Sequence, residues 1–385
     1  MKRNSFLIKA FFFTFYSAWT FIFSFIPVYF REKGISIGKI GLLTSISAMI
    51  GALTQIIMGR FFDITGKRKP FIIICLFINA FIYSIIFPNI KNYVCLMFIY
   101  AIIGICLYTI LTGSNIIAID ISITGQMGKG YAQTRIWGSI GFLTLMIIIG
   151  FYPQLTSSNI MFLSIGIIYI ISSIIMSFIK EPSAKINIQP IDIKRIKKII
   201  SNQKVITFLT FYFLYYTALV GATSNVNLLI KALGGSNRII SFSYSASAFS
   251  EIPFMIFWGI LSDKIGRKPI LILSSIGLPI RLFLYSIVKN PIHIIAIQTM
   301  HSITFAIIAT IPIVYMNDII SKEDRGTSQG ILNMTTALSS TIGPLIAGFI
   351  ADKVGISNMF IYLMIVSLMS TIVAFYSLSE SSNIN

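Results

Sequence analysis

Between Phe71 and Pro88 the chain reads FIIICLFINAFIYSIIFP, with no charged residue. Runs of this kind recur along the whole sequence and constrain its fold more than any other feature. A helix of about 20 apolar residues crosses the hydrocarbon core of a bilayer. In lipid the backbone must satisfy its own hydrogen bonds, which leaves only helices and closed barrels. A barrel strand would read as about ten residues of alternating polarity, whereas these runs are continuous. Composition agrees: 56% of the 385 residues are hydrophobic, 11% are charged and the mean hydropathy is +0.86. Soluble domains carry about 25% charged residues. The sequence therefore predicts an all-α polytopic membrane protein with the lipid bilayer as its surroundings.

Twelve spans fit, with limits near 6–30, 40–61, 71–88, 93–117, 132–152, 160–179, 205–230, 240–261, 270–288, 293–316, 327–350 and 357–378. The start, MKRNSFLIKAFFF, has the basic-then-apolar order of a signal peptide. Its apolar run continues too far and lacks a small-residue cleavage site, so it reads as the first span. Cys75, Cys95 and Cys106 lie in apolar runs. Their odd number and wide spacing argue against a disulfide framework or a thiolate metal site.

The net charge is +18, from 30 Lys and Arg against 12 Asp and Glu. In a soluble chain this would suggest nucleic acid. Here it follows from the positive-inside rule. With the N-terminus inside, 21 of the 30 basic residues fall in inner segments and 8 in outer ones. The expectation is a plasma (inner) membrane protein with both termini in the cytoplasm and no nucleic-acid partner. The longest polar stretch, Lys180 to Lys204, divides an N-terminal six-helix bundle (1–179) from a C-terminal one (205–385), with 180–204 as a cytoplasmic linker. The end of the linker, IDIKRIKKII, fits either an amphipathic helix on the anionic inner leaflet or a solvated connection.

A short loop is written twice. GRFFDITGKRKP begins at Gly59 and GILSDKIGRKP at Gly259, 200 positions later. Both follow the second span of a half. Gly66 and Gly266 suit a tight turn that needs positive φ, and Pro70 and Pro269 suit the first turn of the next helix. Asp63 and Asp263 are not required by charge sorting. A carboxylate there can accept backbone N–H groups at the start of a neighbouring helix, forming a cytoplasmic latch with Lys67, Arg68, Arg267 and Lys268; a plain solvated turn is the simpler alternative. A duplicated six-helix unit, with a site between its halves near mid-membrane, is an arrangement used by transporters. GFIADKVG, from Gly348 to Gly355, shares the spacing. It falls on the outer side of the predicted topology and reads as coincidence or a minor helix end.

The doubled loop, within twelve spans and with a central basic linker, resembles the signature of the major facilitator superfamily. The resemblance covers nearly the whole chain. It implies two pseudo-symmetric six-helix bundles and transport by alternating access, with the loops as part of the cytoplasmic gate.

Ionisable groups at bilayer depth are costly and usually functional. They are Arg135 in the fifth span, Glu251 in the eighth, Arg281 in the ninth and His301 in the tenth, with Asp120 and Asp318 near cytoplasmic helix ends. Plainer readings exist: Arg135 snorkelling to the interface, His301 as a neutral packing group, Glu251 and Arg281 as a structural ion pair. An acid at the depth of Glu251 needs either a partner or a proton.

RIWGSIGF, from Arg135 to Phe142, and EIP, from Glu251 to Pro253, resemble the superfamily branch of lactose permease, the phenylpropionate transporter-like proteins and the nucleoside proton symporters. The resemblance implies that Arg135 binds solute and pairs with an acid near the end of helix four, for which Asp120 is the candidate. Arg281 and His301 fall where lactose permease has an arginine and a histidine. The chain also departs from that pattern. Thr304 replaces the acid that follows the histidine, no lysine stands in span eleven, and Phe142 replaces the sugar-stacking tryptophan. This puts galactosides in doubt and leaves Glu251 to carry the proton.

The reading is a monomeric transporter importing a small polar organic solute, such as a sugar, nucleoside or aromatic acid, with a proton. Arg135, Asp120, Phe142, Tyr16 and Trp19 are the candidate solute-binding residues; Glu251, Arg281 and His301 couple the proton. Tyr215, Tyr216 and Trp258 are further candidates to line the cavity. A proton-driven exporter is the alternative within transport. His293 and His301 form no HExxH pair and no Walker A lysine loop is present, so neither an enzyme nor an ATP-driven pump is expected. No cofactor is expected beyond the proton gradient. A solute receptor without transport is the remaining alternative.

Overall fold

The computed structural model describes residues 2–121, 127–181, 193–321 and 324–378. Among the described residues twelve helices are long and apolar enough to cross a bilayer. The first six are α1 (Arg3–Glu32), α2 (Ile37–Thr65), α3 (Lys69–Asn89), α4 (Tyr93–Ile121), α5 (Gln133–Phe151) and α6 (Ser158–Phe178). The second six are α7 (Gln203–Ala232), α8 (Asn237–Ile265), α9 (Arg267–Ile287), α10 (His293–Asp318), α11 (Arg325–Val354) and α12 (Ile356–Tyr376). Each corresponds to one expected span, with ends shifted by a few residues. Large apolar side chains remain exposed along them, among them Ile57, Phe98, Phe151 and Ile256. Such continuous apolar surface belongs in lipid rather than water.

An eight-residue helix, Ile193–Ile200, occupies the described end of the linker. Lys197 and Lys198 are exposed and Ile199 is buried. Lys198 reaches Asp324 at 3.6 Å. The earlier part of the linker, 182–192, lies outside the described residues.

Contacts divide the chain into two compact units. One comprises Met1–Lys33 with Ile46–Gln189; the other comprises Gly34–Ser45 with Pro190–Asn385. The same helix pairings occur in each. In the first unit α1 packs on α5 and α6, and α3 packs on α4 and α6. In the second α7 packs on α11 and α12, and α9 packs on α10 and α12.

The correspondence extends to individual residues. α2 and α8 each have 29 residues and start 200 positions apart. α1 breaks after Ser24 and resumes as Ile26–Glu32; α7 breaks after Thr223 and resumes as Val226–Ala232. Gly34 and Gly234 both have positive φ (84° and 80°), as do Gly66 and Gly266 (66° and 91°). These turns recur because only glycine enters that region without a Cβ penalty.

Close crossings join the helices inside each unit. A Cβ added at Gly141 of α5 would lie 2.1 Å from the Phe13 carbonyl oxygen of α1, and one at Gly343 of α11 would lie 2.6 Å from that of Thr217 in α7. Small residues give membrane helices backbone-to-backbone packing where apolar burial alone supplies no drive. The Ser17 hydroxyl of α1 donates to the Gly141 carbonyl at 3.2 Å, and the Ser339 hydroxyl of α11 donates to that of Phe213 in α7 at the same length.

Candidate functional site

In the first unit the α1–α5 crossing brings Arg135 to Tyr16. The guanidinium carbon lies 4.1 Å from the centroid of the tyrosine ring, a cation–π arrangement that leaves the fork of N–H donors available. Gly138, one turn further along α5, makes this possible. A Cβ there would lie 2.6 Å from the Tyr16 ring and 3.0 Å from Arg135 Nη1. Tyr16 also stacks on Phe12, with centroids 6.1 Å apart, and Trp19 stacks on Phe23 at 6.5 Å. The half-buried Phe142 follows one turn later, its carbonyl accepting from the Thr20 hydroxyl at 3.3 Å. Arg135, Tyr16, Trp19 and Phe142 therefore all lie on or beside the α1–α5 crossing.

Asp120 is placed differently from expectation. Its carboxylate pairs with Arg68 Nη1 at 2.5 Å rather than with Arg135. The turn at Gly66 folds Arg68 back across the end of α4, where the residue is 5% exposed. The Arg68 backbone N–H donates to Glu181 Oε1 at 2.7 Å. Asp120 thus belongs to the loop cluster. The second unit repeats the motif: Arg267 pairs with Asp318 at 3.3 Å at the end of α10, and with Asp263 at 2.6 Å. Glu181 was not anticipated, and the Arg267–Asp318 pair was legible only as the echo of a pair not yet recognised.

The remaining loop residues are more open. Asp63 is exposed and makes no hydrogen bond or ion pair with the described residues. Lys67 is exposed, its N–H donating to the Thr65 hydroxyl at 3.3 Å, and Lys268 is half-buried. The bare faces of Gly59 and Gly259 meet almost nothing: Thr112 lies 4.0 Å from a Cβ built at Gly59, and nothing lies within 4 Å at Gly259.

In the second unit α8, α9 and α10 assemble a polar chain. Arg281 is 1% exposed. Its Nε donates to Tyr285 Oη at 3.0 Å, and its Nη1 bonds His301 Nδ1 at 3.0 Å and Thr304 Oγ1 at 2.7 Å. Its Nη2 donates to Gln298 Oε1. All four acceptors are neutral. Glu251 meets the other side of the imidazole, with Oε2 3.7 Å from His301 Nε2. A direct Glu251–Arg281 ion pair is therefore not formed: the imidazole stands between them. Arginine only donates, so His301 Nδ1 accepts and the ring proton sits on Nε2, facing Glu251. Phe305 stacks on the imidazole at 4.6 Å and 7°, and Trp258 Nε1 ties α8 to the Ser302 carbonyl at 2.7 Å.

Pro253 lies two residues beyond Glu251 inside α8. It removes the N–H that the Phe249 carbonyl would otherwise receive, loosening the helix beside the acid. The sequence drew attention to Arg281 and His301 but not to Gln298, Tyr285 or Thr304. A signal was present: Tyr285 follows Arg281 by four positions, and Gln298 precedes His301 by three, the spacings of one helix face. Thr304, noted only as a missing acid, supplies Arg281 with an acceptor.

The expected aromatic lining is divided. Tyr216 borders a cavity of about 200 Å³, with Tyr212, Phe305, Asn333 and Thr336 among its other walls. Tyr215 is fully buried and bonded to Ser274 and Thr304. Trp258 is 7% exposed, so these two serve packing. Among the described residues no three His, Cys, Asp or Glu side chains are placed to hold a metal ion.

The model of the MFS_1 like family matches residues 6–362. The chain is similar to the uncharacterized transporter YwbF of Bacillus subtilis (strain 168), 22% identical over 360 residues, covering 92% of this chain and 88% of that protein. It is also similar to the multi-drug resistance efflux pump PmrA of Streptococcus pneumoniae serotype 4, 28% identical over 138 residues, about a third of each chain. Among solved structures, the nucleoside transporter NupG superposes with a TM-score of 0.82 at 16% identity, covering 97% of both chains. At that identity the likeness speaks for the fold alone.

Proposed function

Because the chain belongs to the MFS_1 like family of major facilitator transporters, we propose that it imports a small polar organic solute together with a proton, by alternating access. Arg135 and Tyr16 recognise the solute, with Trp19 and Phe142 beside them. Glu251 carries the proton, and His301 and Arg281 set its surroundings. The working unit is a single chain in the plasma (inner) membrane with both termini in the cytoplasm, and it does no chemistry on its solute.

The observation that carries this reading is the chain Arg281–His301–Glu251. Ionised Glu251 faces an N–H whose ring is backed by a buried cation, so it can lose its proton while the site is wet. A dry site containing an uncompensated carboxylate would cost several kcal/mol. Closure therefore favours Glu251 either protonated or balanced by its neighbours. Requiring one of those states before the site reorients ties proton movement to solute movement. The Arg135 guanidinium, fixed on one face by Tyr16, presents planar donors suited to hydroxyl, carbonyl or carboxylate groups of a sugar, nucleoside or aromatic acid.

Purified protein in vesicles with an imposed pH gradient tests this. Radiolabelled sugars, nucleosides and aromatic acids should be screened first by thermal shift, since a bound solute stabilises the fold. Uphill uptake driven by an inward proton gradient supports symport. The partial similarity to PmrA favours one second reading, proton-driven export; expulsion of solute driven by an inward proton gradient would establish that reading instead. Binding without flux would make the protein a receptor.

A further inference from the structure

The third Gly-x-x-x-Asp-x-x-Gly stretch, Gly348 to Gly355, ends α11 in the same way that the loop copies end α2 and α8. Gly355 has φ 88°, beside 66° for Gly66 and 91° for Gly266. Asp63 is exposed and Asp263 pairs only with Arg267 of its own loop, whereas the acid of this third copy reaches the backbone of another helix. Asp352 Oδ2 accepts the Gly38 N–H at 2.9 Å. Gly38 is the second residue of α2, so this N–H is one of the orphan donors of a helix start, and the carboxylate sits where the helix dipole favours it.

The contact is part of a longer crossing inside the second unit. A Cβ at Gly38 would lie 2.5 Å from Asp352 Oδ2, one at Gly348 would lie 2.7 Å from the Ile37 carbonyl oxygen, and one at Gly41 would lie 2.3 Å from the Pro344 carbonyl oxygen. Further along, the Ser45 hydroxyl donates to the Thr341 carbonyl at 2.6 Å. The bare glycine face admits the backbone of another helix, and the acid four residues later caps that helix. At the loop copies the same two elements are present, but the faces of Gly59 and Gly259 are open and Asp63 is exposed.

We infer that Gly348–Gly355 is a second gate latch, closed in this structure, and that it is the same device as the loop copies seen in its engaged state. α2 is about 43 Å long at 1.5 Å per residue, longer than the roughly 30 Å hydrocarbon core. Asp352 therefore holds the end of α2 on the side of the membrane opposite Asp63. Engagement of Asp352 and engagement of Asp63 belong to opposite access states, so each acid biases the equilibrium against the other. This rests on alternating access and is independent of proton coupling.

The test uses a full-length chain whose native cysteines are replaced by serine and which carries Ser45→Cys, a position 3% exposed within the crossing. Its rate of reaction with N-ethylmaleimide in proteoliposomes reports opening. Asp352→Ala should raise that rate roughly tenfold, the effect of losing one charge-assisted hydrogen bond. Asp63→Ala should lower it, because the competing latch is removed. Gly41→Ala wedges the crossing without touching the acid and should also raise it. Lys353→Ala should leave it unchanged. Labelling unaltered in both Asp352→Ala and Gly41→Ala would overturn the inference, as would a rise in Asp63→Ala. Because the readout involves neither solute nor proton, a protein that failed as a symporter would still decide it.

Discussion

Asp120 offers the sharpest quantitative test, because the fold contains its own control. Asp120→Ala strands the guanidinium of Arg68, which is 5% exposed and whose Nε already lacks a partner. Among the described residues Asp120 is the only acceptor for that side chain. Removing one partner of a fully buried pair costs about 3–5 kcal/mol. The Asp120 side chain is 27% exposed, so water screens the pair and lowers the expected cost to roughly 2 kcal/mol. Asp318→Ala in the second unit is the matched control. Arg267 would keep Asp263 at 2.6 Å and the Ser262 hydroxyl at 3.0 Å, so the loss should be about 1 kcal/mol or less. Thermal unfolding of the detergent-solubilised variants, followed by intrinsic fluorescence, measures both. Asp120→Ala should melt several degrees below Asp318→Ala. The double variant Arg68→Met/Asp120→Leu should recover most of the loss, since apolar residues often replace a buried pair without penalty. Equal melting of the two single variants, or a double variant no better than Asp120→Ala, would refute the assignment. Solute affinity should change less than about twofold in Asp120→Ala, where loss of direct solute contact would cost tenfold or more.

Glu251→Gln should abolish uphill accumulation while leaving solute exchange partly intact; undiminished accumulation in the vesicle assay would remove Glu251 from coupling. His301→Gln preserves an acceptor for Arg281 and a donor toward Glu251, so it should retain part of the proton-driven uptake that His301→Leu loses. Identical behaviour of these two variants would count against the relay. Gly138→Ala places a Cβ 2.6 Å from the Tyr16 ring and should weaken solute binding roughly tenfold, about 1.4 kcal/mol, without unfolding the protein. Unchanged affinity by equilibrium binding would mean that the Arg135–Tyr16 stack does not read the solute.

The helices were legible because lipid removes the ambiguity that tertiary packing introduces in water: a run such as Phe71–Pro88 has no other stable conformation there. The duplicated loops were legible because their glycines answer a backbone demand that composition cannot disguise. The partner of each charge was not legible. Asp120 lies 15 residues from Arg135 and 52 from Arg68 in sequence, and only the reversal of the chain at Gly66 decides between them. Arg281 could be identified as buried, yet its neutral acceptors Gln298, Tyr285 and Thr304 are ordinary residues whose role depends on how α9 meets α10. GFIADKVG displays its spacing in the sequence, but the partner of Asp352 is a backbone N–H at Gly38, 314 positions away, which no local pattern indicates.

The 200-residue correspondence makes the chain its own reference. The counterpart of Glu251 is Gly51, and no side chain would fit there: a Cβ would lie 2.1 Å from the ring of Tyr108. Twin scaffolds have thus been put to unlike uses, one closing that position with a ring and the other opening it to an acid. An acid introduced at residue 51 would have to evict that ring first, so a single substitution cannot move the acid from one half to the other.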